Sequence, residues 1–171
     1  VAPTPQAPKR RRSERPAEDQ AGPVFMVVAG NWMKEVINTP KDVLAFHYAD
    51  VHAVSQRLMD ALRLIAARVQ PCDMIVVVAI NVAKNDLPPP FDEYSPPNSI
   101  ALWGARDKYA PGFMKGVETS NGFVTPFEIF DFLSGASTLP DAKSCLAEIR
   151  KSMTADEISW LQNTNKNKEE L

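Results

Sequence analysis

The sequence predicts a mainly α chain, a single helical core domain carrying extended N- and C-terminal arms. Apolar residues recur at Leu44, Tyr48, Val51, Leu58, Leu62, Ile65 and Val69 in steps of three and four, broken only at Ser55, the spacing of one long amphipathic helix. A second helical pattern follows Pro126, and Thr154-Ala155-Asp156-Glu157 reads as a capping box. With 171 residues, 44% hydrophobic and 23% charged at net charge −2, the chain has the size of one globular domain with tails.

In chain order, residues 1–23 hold five of the fifteen prolines and the cations Lys9, Arg10, Arg11, Arg12 and Arg15 with almost no large apolar side chain. Such a segment cannot offset its ordering entropy by burial, so a disordered basic, proline-rich arm is expected. The run Pro8-Lys9-Arg10-Arg11-Arg12 reads either as an import or nucleic-acid patch or as a solvated charge run. Residues 24–38 mix Val27, Val28 and Trp32 with Gly30 and suit a short helix or a strand. The helical core is expected over 39–153, with Thr39 as cap and Pro40 at the first helical position of a helix ending at Pro71. Met74 to Lys84 has strand composition in Ile75-Val76-Val77-Val78 but the length of a buried helix, and periodicity alone leaves both open. Residues 86–126 read as a loop that packs down through Phe91, Tyr94, Trp103, Tyr109 and Phe113. Phe127, Phe130 and either Leu133 or Phe132 then share a helical face stopped by Gly135, Leu146, Ile149 and Met153 share another, and 154–171 form a C-terminal helix and arm.

Several functions are excluded on these residues. The longest apolar run, Met74 to Ile80, is far short of the roughly 18 to 20 residues that cross a bilayer. No secretory signal is visible at Val1-Ala2-Pro3, and only two cysteines, Cys72 and Cys145, are present, which suggests a reducing compartment and buried thiols. His47 and His52 would lie about 140° apart on a helix and make no paired site. Metal-ligand spacings and glycine-rich phosphate loops are lacking, so no enzyme, metal or cofactor is expected. Arg57 and Arg68, three turns apart, share one side of the long helix and could follow a phosphate backbone.

Five stretches in order resemble the coat proteins of flexuous filamentous plant viruses, the potexvirus-like group. Tyr48-Ala49-Asp50-Val51 with Gln56 is similar to Ala-Asp-Val-Gly-Ser-Ser-x-Gln, and Arg68-Val69-Gln70-Pro71-Cys72 to Leu-Arg-Gln-Phe-Cys. Asn85-Asp86-Leu87-Pro88-Pro89 resembles Asn-Asn-x-Pro-Pro, and Phe127-Glu128-Ile129-Phe130-Asp131-Phe132 with Gly135 resembles Phe-Ala-Ala-Phe-Asp-Phe-Phe-Asp-Gly. Thr154 to Lys166 resembles a Thr-x-x-Glu helix closing in Thr-Asn-Lys. The resemblance implies an all-α core, with Met74 to Lys84 helical, and 24–38 as a segment linking neighbouring subunits. It implies a capsid protein of a virion assembled in host cytoplasm, its partners single-stranded RNA, bound without sequence specificity, and further copies of itself in a helical polymer, with no membrane. RNA contact is then expected at Ser55, Arg68, Asp131 and Lys166, with Asp131 orienting Arg68. A different class, a nuclear or retroelement-derived helical adaptor with a basic import signal, is the alternative.

Overall fold

Val43-Leu44-Ala45-Phe46 forms strand, not helix, and that difference reorganises the whole chain. The computed structural model describes residues 11–18, 20, 22–49, 52–94 and 96–168, and its centre is a five-stranded mixed sheet. The strands are β1 (Phe25–Val27), β2 (Asp42–Tyr48), β3 (Ile75–Asn81), β4 (Ser99–Gly104) and β5 (Asp107–Phe113), in the spatial order β1-β3-β2-β4-β5. β3 runs parallel to both β1 and β2, while β4 is antiparallel to β2 and to β5. Among the described residues four α-helices accompany it: α1 (His52–Val69), α2 (Pro126–Ala136), α3 (Pro140–Ser152) and α4 (Ala155–Asn163). The fold is therefore α/β, and the mainly α expectation is corrected.

The physical reason lies in two-sided burial. Leu44 and Phe46 of β2, Val77 and Ala79 of β3, and Ile100 and Leu102 of β4 face α1 to α4 in one core. Val43, Ala45, Val78, Ile80, Ala101 and Trp103 face the other side, where Trp32, Val36, Leu87 and Phe91 cover them. Strands buried on both faces read as continuous apolar runs and carry no alternation. A run that is apolar throughout also satisfies a helical spacing, which is how Leu44 and Tyr48 entered the expected long helix; the helix starts only at His52. The same account holds for Met74 to Lys84, which contains β3 and is not helical. Within the expected loop 86–126, β4 and β5 form a hairpin. Residues 24–38, expected to link subunits, hold β1, a 3-10 turn (Ala29–Asn31) and a π turn (Met33–Ile37), and they bury Val27, Trp32 and Val36 in their own chain.

The three C-terminal helices lie near their expected places. The Thr125 side chain caps α2 by accepting from Glu128 N, and Thr154 caps α4 from Glu157 N at 3.1 Å. The Glu157 carboxylate does not complete the capping box; it accepts from Arg68 Nε at 2.7 Å. Asp42, fully buried at the start of β2, ties the layers together. Its carboxylate accepts from Ala105 N, Ser137 Oγ and Thr138 N at 2.7 to 2.8 Å, joining the β4–β5 turn to the entry of α3. Burial pushes this carboxyl up, and the hydrogen bonds from Thr138, Ala105 and Ser137 outweigh it, holding it below the ordinary value.

Cys72 and Cys145 are joined in a disulfide, so the expectation of two separate buried thiols is corrected. The bond fastens the turn after α1 to α3. At the N-terminus, residues 8–10 of the basic run lie outside the described residues. Arg12 is held on the body: its backbone N donates to Asp86 Oδ2 at 2.6 Å and its guanidinium to Asp86 Oδ1 at 2.8 Å. Ahead of β1, Glu14 N donates to Asn85 Oδ1 at 3.0 Å, so this stretch forms a strap along the segment after β3.

Candidate functional site

The C-terminal ends of β1, β2 and β3 meet along one edge of the sheet, because the three strands are parallel. In open α/β sheets this is the edge where ligands bind, outside the carboxyl ends of the strands. Here β2 ends at Tyr48, Ala49 follows it, and α1 opens at His52. Between β1 and α1 lies an open recess of about 230 Å³ lined by Met26 from β1, Tyr48 and Ala49 from the end of β2, and Ser55, Gln56, Met59 and Arg63 from α1. Met26, Tyr48, Ala49 and Met59 give it thioether, aromatic and methyl surface, and Ser55, Gln56 and Arg63 add polar surface of similar extent. Its rim carries the Arg63 guanidinium, 3.8 Å from Asp60 and exposed.

Ser55 is the sequence-predicted residue that the structure places in this recess. Its hydroxyl donates to Ala49 O and lies 3.1 Å from Asn98 Oδ1. One hydroxyl proton serves one of these acceptors, and the second contact is satisfied when the Asn98 amide is turned so that its NH2 group donates. The Ser55 oxygen therefore stitches the β2–α1 junction to the turn before β4, where Asn98 adopts a positive φ of 54°. The loop behind it approaches just as closely: at Gly122 (φ +83°) a Cβ would lie 2.6 Å from Val54 O.

A nucleophile needs a base, and the nearby imidazole does not supply one. His47 lies on the face of β2 opposite α1, fully buried among Trp32, Trp103 and Phe113. Its Nε2 accepts from Trp103 Nε1 at 3.3 Å. Nδ1 lies 3.1 Å from Ser99 Oγ, which itself donates to Pro96 O, so Nδ1 carries the proton. Burial lowers the His47 pKa to about 3, and the ring stays neutral. Lys108 is also buried and held down, to about 8 by burial against the opposing charge of Asp42, but its amine donates to Lys41 O and Trp103 O at the far end of β2. Among the described residues no cluster of histidine, cysteine, aspartate or glutamate could hold a metal ion.

The other sequence-predicted site residues do not converge on Ser55. Arg68 lies thirteen residues further along α1, about 20 Å away at helical rise. There its guanidinium is paired with Glu157 and donates to Ser152 Oγ at 2.8 Å. Asp131 is exposed on α2 and does not orient Arg68; the expected pairing is corrected, since Glu157 occupies that place. Lys166 is half-buried beside Asn165, whose Nδ2 is shared among Val124 O, Gly122 O and Arg57 O at 2.7 to 3.2 Å. Sequence reasoning missed Met26, Tyr48 and Met59. Their signal was a strand ending at Tyr48 and a helix opening at His52, obscured while both were read as one helix. Neither the protein-family models nor the curated proteins compared with this chain match it.

Proposed function

We propose that this chain is a non-catalytic binding domain of an oxidising compartment, and that it holds an extended polypeptide segment in the recess between β1 and α1. The observation that carries the reading is the recess itself: Met26, Tyr48 and Met59 present adaptable apolar surface at the carboxyl edge of the parallel strands. Thiol–disulfide oxidoreductases of the thioredoxin kind place Cys-x-x-Cys after a strand at a helix N-terminus, where the positive helix end lowers the thiol pKa. The corresponding first turn here reads His52-Ala53-Val54-Ser55, without a thiol. Both cysteines of the sequence stand elsewhere, joined to each other. That leaves recognition rather than dithiol chemistry for this edge. The disulfide supports a lumenal or extracellular setting.

The test is a titration of the 15N-labelled chain with a soluble octapeptide of alternating threonine and leucine between glutamate ends, chosen to meet Arg63. Amide shifts should concentrate at Met26, Tyr48, Ser55 and Met59, and Met59→Asp should abolish them. The coat-protein reading predicts something else, binding to unrelated single-stranded RNAs that weakens with salt and with Arg68→Ala or Lys166→Ala. Absence of peptide-induced shifts together with such RNA binding would replace the proposal.

A further inference from the structure

β1 is the outermost strand of the sheet, and its free edge is occupied by a side chain that imitates a peptide group. The Gln20 carboxamide donates from Nε2 to Met26 O at 3.1 Å and accepts from Met26 N at 3.0 Å. A primary amide offers the same donor and acceptor as a backbone amide, so these two bonds satisfy Met26 as a neighbouring strand would. Two residues on, past the end of β1, Val28 N is taken by Asn31 Oδ1 at 2.9 Å in the cap of the next turn, so Met26 is the position of β1 whose outward main chain a side chain occupies. Met26 also lines the recess, which places its main chain on the edge and its side chain in the pocket wall.

We propose that Gln20 is a displaceable stand-in for the main chain of the bound polypeptide. The partner adds as a strand on β1, one of its peptide groups replaces the Gln20 carboxamide on Met26, and an adjoining side chain enters the recess beside Tyr48 and Met59. This rests on the polypeptide-binding reading and specifies its mode, strand addition at a sheet edge. An extended polypeptide is favoured over a small ligand because the mimicked group is a peptide group. Gln20 is itself only half-buried, outside the core clusters of the sheet. While it is in place, apparent affinity is reduced by the fraction of molecules in which the edge is open.

Anisotropy of the fluorescein-labelled octapeptide on the full chain tests this. Gln20→Ala should tighten binding about tenfold, the scale of two partly exposed hydrogen bonds. Gln20→Glu should act alike, since a carboxylate cannot donate to Met26 O. Methylating alternate backbone nitrogens of the peptide should remove the gain. If the peptide shifts Met26 and Met59 amides but both Gln20 variants bind as the parent does, this inference falls and the polypeptide-binding reading stands. If no variant shows those shifts, the underlying reading fails. Dimerisation of Gln20→Ala in sedimentation velocity, without tighter peptide binding, would make Gln20 a guard against edge pairing and overturn the proposal.

Discussion

His47 shows how a single side chain ties the packing of one face of the sheet to pH. The neutral ring links Trp103 to Ser99 and is surrounded by aromatic groups, so charging it in place has no compensating partner. Its folded pKa, about 3, lies below the ordinary 6.5 of the unfolded chain. Between those values the unfolded chain binds a proton that the folded chain does not, so stability rises with pH across that window and falls on acidification. Full traversal of the window corresponds to roughly 4 to 5 kcal/mol. Urea unfolding of the parent should therefore weaken progressively from pH 6.5 towards 4. His47→Phe starts lower at pH 7, because it leaves the Trp103 N–H without an acceptor, but should show a flatter dependence over the same range. Parallel curves for the two proteins would mean that His47 is not the group responsible.

At the scale of elements, the disulfide fixes helices whose order along the chain gives no hint of their contact. Cys72 follows α1 and Cys145 lies in α3, with a sequence separation of 73 that takes in β3, β4, β5 and α2. Closing a loop of that length restricts the unfolded chain by about 4 kcal/mol in the chain-entropy account. Cys145→Ala should lower the free energy of urea unfolding by about that amount, and a change confined to a few tenths would show that the helices hold α1 and α3 without it. Thiols so far apart carry no spacing signature, and for that reason the sequence read them as separate. By contrast α2, α3 and α4 were legible, since each buries a stripe (Ile129, Phe130 and Leu133; Ala142, Leu146 and Ile149; Leu161) and keeps its charged residues out of the core. β2 and β3 were not, since both their faces are covered and apolar residues run without alternation from Val43 to Phe46 and from Ile75 to Ile80. The site suffered accordingly. Ser55 was singled out, but its neighbours Tyr48 and Met26 acquire meaning only when β1 and β2 are recognised as parallel strands flanking β3.

For the whole molecule, the order of the sheet and the side on which α1 crosses decide where chemistry could occur. β2, α1 and β3 form a crossover unit whose helix begins at the carboxyl edge, so the first turn of α1 faces the same edge as the recess. Positions 52 and 55 are one helical turn apart and neighbours on the helix surface. The positive end of the helix stabilises an anion there whatever side chains occupy it. If architecture rather than sequence confers thiol reactivity, His52→Cys combined with Ser55→Cys should yield a pair that closes into an intramolecular disulfide on air oxidation. After mild reduction, one of its thiols should alkylate with iodoacetamide along a pH profile centred below the ordinary thiol value of about 8.5. Cys72, buried at 2% exposure and bonded to Cys145, should remain unlabelled and serve as the internal control. Loss of the Ser55 hydroxyl releases Ala49 O, so urea unfolding of the Ser55→Ala variant, expected to cost about 1 kcal/mol, separates that structural effect from the new chemistry. Ordinary thiol profiles at both positions, in a folded protein, would mean that the edge lacks the activating field and that its binding role owes nothing to the helix end.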